Sequence, residues 1–294
     1  GSVFKTIVLA AALEEGVVNE GTTYTCTGGI QVADNYIKCW RHEGHGTETL
    51  EQGLMNSCNP FYVTIGQKLG AERWSKYFEA FGFTEKTGID LPAEASPKSG
   101  VTYHDPQKFS VSQLSSSSFG QTFQVTPLQM LTAVSAIANK GKLMQPYIVS
   151  KWIDENGQTV ESTAPTVKRQ VISESTANLV SKMMESVVSK GTGKNAYVEG
   201  YRIAGKTGTS QKFGAKGVEA NKYILSFAGF APADDPRVAV LICVDEPIKG
   251  DGGGSVAAPI AGDLISKVLE SMGVIPEYDD KSTVQSTNVT IPNL

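Results

Sequence analysis

Long apolar runs are missing from this 294-residue chain. Outside the N-terminal stretch the longest is Val238-Ala239-Val240-Leu241-Ile242-Cys243-Val244. A bilayer-crossing helix needs roughly 20 such residues, so this run reads as a buried strand. An excess of positive charge is missing too. Lys and Arg number 26 against 30 Asp and Glu, a formal net charge of −4, which argues against a nucleic-acid-binding surface. Cysteine is sparse: Cys26, Cys39, Cys58 and Cys243 are too few for a disulfide scaffold. Cys243, inside the apolar run, reads as a small core hydrophobe. Signal peptide and internal repeat are both absent. The chain also opens abruptly on a helical pattern, which suggests a soluble piece of something longer, with any membrane anchor upstream.

What is present begins at the first turn. Ser2 and Lys5 stand three apart, ahead of the unbroken apolar stretch Thr6 to Leu13. Positions three apart share a helix face, so the hydroxyl and the amine are expected to touch at a helix N-terminus, where free N–H groups favour negative charge. Serine needs an adjacent base to act as a nucleophile, and a lysine in an apolar pocket becomes one as desolvation lowers its pKa. Taken alone, the same pattern also suits an ordinary helix start with Ser2 as N-cap, or a Gly-Ser remnant of tag cleavage.

The rest of the chain supplies a fold class. Short strand patterns, Ile30 to Val32 and Tyr36 to Lys38, follow the Gly28-Gly29 turn. A helical pattern starts at Thr47 and stops near Pro60, which disfavours helical geometry at Asn59, so Ser57 and Asn59 are expected in a tight inter-helix turn. The helical period resumes at Phe61. Thr126-Pro127 caps an apolar helix to Ala138, Asn156-Gly157 marks a hairpin, and a helix spans roughly Ser173 to Val188. Three strand patterns follow, Tyr201 to Gln211, Tyr223 to Ala231 and Val238 to Asp245, then a helix from Val256 to Met272. Helix, helical middle, antiparallel sheet and closing helix read as an α+β fold. Lys206-Thr207-Gly208-Thr209 lies in the first late strand, where a glycine lets an extended peptide approach the strand edge. Lys206, Thr207 and Thr209 bring a charge and hydroxyls suited to a carboxylate.

Ser2-x-x-Lys5, Ser57-x-Asn59 and Lys206-Thr207-Gly208 occur in the order found in penicillin-binding proteins and serine β-lactamases. Phe119-Gly120-Gln121, Val125 to Gln129, Ala138 to Gly141, Gly191 to Ala196 and Ala204 to Thr209 extend the likeness over nearly the whole chain. The sequence resembles the transpeptidase domain of a class B penicillin-binding protein. Lys38-Cys39-Trp40, Gly44-His45-Gly46 and Ser57-Cys58-Asn59 resemble the Gram-positive sporulation-type members. The resemblance implies a transpeptidase domain over residues 1–275. It makes residues 276–294 a linker and the truncated start of a PASTA-like domain, from Asn288 to Leu294. It also implies strands ahead of the nucleophile that this chain does not contain, since only Gly1 precedes Ser2.

By the same resemblance, Ser2 attacks the D-Ala-D-Ala carbonyl of a peptidoglycan stem peptide and Lys5 takes its proton. The backbone N–H groups of Ser2 and Thr209 form the oxyanion hole. Ser57, helped by Lys206, relays the proton to the leaving D-Ala. Asn59 holds the substrate amide, Gly208 makes room for the peptide, and Thr207 and Thr209 hold its carboxylate. β-Lactam antibiotics acylate the same serine. No organic cofactor is implied, the expected partner is a membrane glycosyltransferase, and the expected location is the extracytoplasmic face of the membrane. The same residues also serve a D,D-carboxypeptidase, a serine β-lactamase, or a non-enzymatic β-lactam sensor or scaffold. The class B segments argue against the carboxypeptidase, and no motif assigns the deacylating water of a β-lactamase.

Cys58 lies between Ser57 and Asn59, and Cys39 has Asp34 before it and His42 and His45 behind. Thiolate, imidazole and carboxylate are the ligand types of tetrahedral zinc, and Cys39, Cys58, His45 and Asp34 form the expected set for a structural ion. A Cys39–Cys58 disulfide and two unpaired buried thiols are the other arrangements, and Cys26 fits into either kind of cluster.

Overall fold

The structure, a computed structural model, describes residues 1–278 apart from 106–107, 215–216, 249 and 251. The expected PASTA-like strand and most of the linker lie outside the described residues.

A 3₁₀ turn, Ser2–Phe4, runs directly into helix α1, Lys5–Glu14. Every residue of α1 from Lys5 to Ala12 is buried, as the apolar run after Lys5 and Thr6 requires. Two small sheets follow. Strand β1 (Thr23–Cys26) pairs with β4 (Gly46–Thr49), and β2 (Gly29–Val32) forms a hairpin with β3 (Asn35–Lys38). The helical pattern expected from Thr47 begins instead at α2, Leu50–Met55. Thr47 and Glu48 alternate in β4, and Thr49 caps the helix in a box with Gln52. Helix α3 (Asn59–Ala80) kinks at Gly70, and α4 (Val111–Ser118) packs on it.

Helix α5 (Pro127–Ala138) starts on the Thr126 cap. Strand β5 (Lys142–Gln145) pairs with β8 (Thr166–Gln170), and between them β6 (Lys151–Ile153) and β7 (Thr159–Ser162) form the expected hairpin. Helix α6 (Glu174–Lys190) is capped by Ser173. The main sheet is antiparallel in the order β11-β10-β9, from β9 (Ala204–Gly214), β10 (Gly217–Ala231) and β11 (Val238–Asp245), and α7 (Ala257–Ser271) closes the fold.

Alternation along the sheet divides the interior in two. Ala204, Ala228, Phe230, Ala239 and Leu241 face the core built on α1, α3, α5 and α6. Phe227, Ala231, Val240 and Ile242 face α7. Packing of alternate residues against the two clusters is why the 238–244 run is apolar at successive positions. Cys243 departs from expectation: its side chain is exposed. It sits near the end of β11, the outer strand, where burial falls away.

Candidate active site

The 3₁₀ turn carrying Ser2 is pressed onto β9. A Cβ added at Gly208 would lie 3.1 Å from Val3 Cγ2 and 2.4 Å from Ser226 Oγ. A side chain at that strand position would crowd both the turn and the neighbouring Ser226. Ser2 is thereby held beside the Lys206–Thr209 strand. The sequence separates the two by about two hundred residues, and the packing of α1 against α6, with α6 against β9, brings them together.

Lys5 is fully buried, and its partners differ from those expected. Its Nζ donates to the Ser57 carbonyl oxygen (2.8 Å), Ser57 Oγ (3.1 Å) and Asn59 Oδ1 (2.7 Å), and lies 5.4 Å from the centre of the Tyr62 ring. Among the described residues the Ser2 hydroxyl makes no hydrogen bond. The reason is local: Ser2 stands in the 3₁₀ turn, and the long lysine side chain reaches the Ser57–Asn59 turn. Asn59 departs from the expectation drawn from Pro60: it opens α3 with Pro60 in its first turn, and the tight connection is Asn56 to Cys58. Ser57 adopts φ 54°, in the left-handed region, and reverses the chain between α2 and α3. The strain of that conformation is offset by backbone bonds from Ser57 N to Leu54 O (3.1 Å) and Cys58 N to Gly53 O (3.1 Å). Burial pulls the Lys5 amine down to about 7, against an opposing influence from Cys58, Cys39 and Glu48.

Lys206 is also fully buried. Its amine donates to the Thr207 carbonyl (3.1 Å) and Thr207 Oγ1 (3.4 Å), and Thr207 Oγ1 in turn donates to Thr192 Oγ1 (3.2 Å). Burial first, and the Lys5 charge second, hold Lys206 well below the usual lysine range. Two hydrogen-bonded groups therefore stand at the site, Lys5 with Ser57 and Asn59, and Lys206 with Thr207 and Thr192, and the Lys5 charge reaches from the first to the second.

Two contributors were not assigned from sequence. Thr192 belongs to the Gly191–Ala196 segment, whose hydroxyl flanked by glycines is the signal for it. The glycine run Gly252-Gly253-Gly254 lies on β9: Gly253 N donates to Thr209 Oγ1 (3.4 Å), and Asn195 Nδ2 donates to the Gly254 carbonyl (2.8 Å). A Cβ at Gly253 would stand 2.3 Å from Ser226 O and 2.4 Å from Gly208 O, so this close approach requires glycine.

Beside the site, Cys26, Cys39, His45 and Cys58 bring their ligand atoms within 4.8 Å of one another. Cys26 ends β1, Cys39 follows β3, His45 precedes β4 and Cys58 caps α3. Asp34 is not in this group. The register Val32↔Asn35 puts it at the exposed tip of the β2–β3 hairpin, while the other end, Gly29↔Lys38, returns Cys39 to the cluster. Cys26 supplies the fourth donor in its place. The thiols of Cys26, Cys39 and Cys58 are free and buried. His45 Nδ1 lies 3.6 Å from Cys39 Sγ, and the buried His45 Nε2 has no partner among the described residues. Three thiols and one imidazole are a donor set of closed tetrahedral zinc sites, and these residues fit such an ion.

Residues 1–266 match the family model described as the penicillin binding protein transpeptidase domain. The chain belongs to that family. Over 98% of its length it is 44% identical to Stage V sporulation protein D of Bacillus subtilis, covering 46% of that protein. It is 32% identical to the peptidoglycan D,D-transpeptidase FtsI of Escherichia coli, with 94% of this chain and 44% of that protein covered. The chain therefore spans less than half the length of these curated relatives. Among solved structures it superposes with a TM-score of 0.85 on penicillin binding protein 3 of Mycobacterium tuberculosis complexed with aztreonam, at 29% identity, covering 94% of this chain and 63% of that one. The D,D-transpeptidase domain of a peptidoglycan glycosyltransferase from Eggerthella lenta gives 0.81 at 31% identity, with 94% and 66% covered. The fold is the penicillin-binding-protein transpeptidase fold, and the likeness to Stage V sporulation protein D bears out the sporulation-type expectation.

Proposed function

We propose that this chain is the catalytic part of a serine-type peptidoglycan D,D-transpeptidase of cell-wall synthesis. The observation that carries the reading is the fully buried Lys5 amine, shared among Ser57 and Asn59 and poised near neutrality. A neutral amine there accepts a proton from Ser2 as its oxygen bonds to the penultimate D-Ala carbonyl of a stem peptide. The tetrahedral intermediate collapses, the bond to the terminal D-Ala nitrogen breaks, and the proton returns to that nitrogen through Ser57. An amine from a second stem peptide then attacks the acyl carbonyl, its proton passes to the Ser2 oxygen as the ester bond breaks, and the cross-link is complete. Asn59 Oδ1 is occupied by Lys5, which leaves the Asn59 amide N–H groups to donate to a substrate carbonyl. Backbone N–H groups of Ser2 and Thr209 serve the oxyanion. Thr207, Thr209 and Lys206 serve the terminal carboxylate, or the corresponding acid group of a β-lactam.

Cys26, Cys39, His45 and Cys58 would hold a structural zinc ion, whose bonds would tie the Ser57–Asn59 turn to the β1–β4 segment. A membrane glycosyltransferase partner and an upstream membrane anchor at the extracytoplasmic face complete the reading. Among the described residues no helix is long and apolar enough to cross a membrane.

The test is transfer. Given a diacyl-L-lysyl-D-alanyl-D-alanine donor and a D-amino acid acceptor, the protein is expected to release D-alanine and form the acceptor adduct, both lost in Ser2→Ala. Release of D-alanine with water as the only acceptor, under saturating amine, would instead make it a carboxypeptidase.

A further inference from the structure

Among the described residues the buried charged side chains are Lys5, Lys206 and Glu48. The two lysines belong to the site, whereas Glu48 has no part in the steps of the reaction. It lies in β4, where Thr47 and Thr49 are exposed and Glu48 is buried, with 2% of its surface accessible. A buried carboxylate is costly unless donors hold it. Glu48 Oε1 accepts from Asn56 Nδ2 at 2.8 Å. Its Oε2 lies 3.8 Å from His45 Nδ1 and accepts no hydrogen bond among the described residues. The firm contact of this carboxylate is therefore Asn56.

Asn56 is the residue before the chain reversal. It closes α2, where its N–H donates to Gln52 O (2.8 Å) and its carbonyl accepts from the Trp40 indole N–H (2.8 Å). With Glu48 on its amide, Asn56 is held at its backbone N–H, its carbonyl and its side chain. Next in the chain is Ser57 at φ 54°, a conformation that persists only where its surroundings over-determine it. Ser57 O, Ser57 Oγ and Asn59 Oδ1 are the acceptors of the Lys5 amine. If the reversal relaxes, these acceptors move, and the amine moves with them relative to Ser2. A misplacement of about 1 Å costs on the order of a hundredfold in rate. A carboxylate suits the task better than a neutral acceptor, because a charge-assisted hydrogen bond is roughly twice as strong.

We propose that Glu48 is a positioning residue for acyl transfer: through Asn56 it fixes the reversal at Ser57, and with it the place of the Lys5 amine. The inference rests on the reading of Lys5 as the base for Ser2. The Glu48 charge also bears on Lys5, behind burial, Cys58 and Cys39, so contact and charge have to be separated by experiment.

The test uses the intact protein and benzylpenicillin in stopped flow, which gives the saturating acylation rate and the half-saturating concentration separately. Glu48→Leu is expected to lower the saturating rate by about tenfold to a hundredfold and to leave the half-saturating concentration within about threefold. Glu48→Gln keeps an acceptor for Asn56 and removes the charge, and it is expected to stay within about threefold of wild type in rate. Asn56→Ala should match Glu48→Leu, and the double variant should be no slower than either. In heteronuclear NMR spectra the Trp40 indole resonance, assigned with Trp40→Phe, should move in Glu48→Leu and Asn56→Ala and stay in place in Glu48→Gln. Glu48→Gln as slow as Glu48→Leu would make the charge the operative feature and overturn the proposal. So would a folded Glu48→Leu or Asn56→Ala that acylates at the wild-type rate. Wild-type protein that is not acylated at all would fail the base reading and the proposal with it, whereas the variant outcomes fail the positioning role alone.

Discussion

Two buried lysines stand at this site, and their protonation decides what the serine can do. Lys5 is drawn to about 7 mainly by burial, and Lys206 is held well below the usual lysine range by burial first and the Lys5 charge second. The base form of Lys5 grows as pH rises through its folded pKa, so the acylation rate by a penicillin is expected to climb with pH and level off above about 7. Lys5→Ala should lose a factor of about 10²–10⁴ and the pH rise with it. Lys206→Met should leave the midpoint near 7, because burial rather than Lys206 is what lowers Lys5. Stopped-flow acylation across pH checks all three, and a midpoint well away from 7 in Lys206→Met contradicts burial as the cause. The motif spacing made Ser2, Lys5, Ser57, Asn59 and Lys206 legible as residues. The partners of Lys5 were not legible, because they depend on a 3₁₀ turn before α1 and a left-handed Ser57, both set by packing rather than local preference.

At the scale of elements, the site is a meeting of a turn, an inter-helix reversal, a strand and a glycine loop. The Gly253 loop is the least forgiving of these, since a Cβ there meets the Ser226 and Gly208 carbonyls at 2.3 and 2.4 Å. Gly253→Ala is expected to cost about 1–3 kcal/mol by overpacking and to slow acylation, because the loop that yields also holds Thr209. Thermal melts and acylation rates measured together check this, and a variant unchanged in both would show the loop is free to move. Elements with their own signals were readable: the Thr126-Pro127 cap, the Asn156-Gly157 hairpin and the third late strand form where the pattern puts them, while β9 starts at Ala204 rather than Tyr201 and β10 at Gly217 rather than Tyr223. Where a pattern served two structures, the sequence misled. Thr47–Thr49 alternates for β4 yet also continues the helical period of α2. Asp34 lies close to Cys39 along the chain, but hairpin register sends it to the tip and leaves Cys26 to complete the group.

The molecule as a whole is a sheet covered on both faces, with the nucleophile's helix in its middle and the Cys/His group at one flank of the site. No segment of the chain announces that Cys26 and Cys58 meet, because their approach needs β1–β4 pairing and the α3 cap together. If those residues hold zinc, protein purified without added metal should contain about one zinc per chain. Chelation or Cys58→Ser should then lower the melting temperature and slow acylation together. A metal-free protein of undiminished stability would remove the ion from the account.

The central claim is that Ser2 is the nucleophile of this assembly, and intact-mass spectrometry after incubation with benzylpenicillin tests it most directly. The account predicts one adduct per chain, mapped by peptide digestion to Ser2 and absent in Ser2→Ala. An adduct of the same mass that persists in folded Ser2→Ala would contradict it.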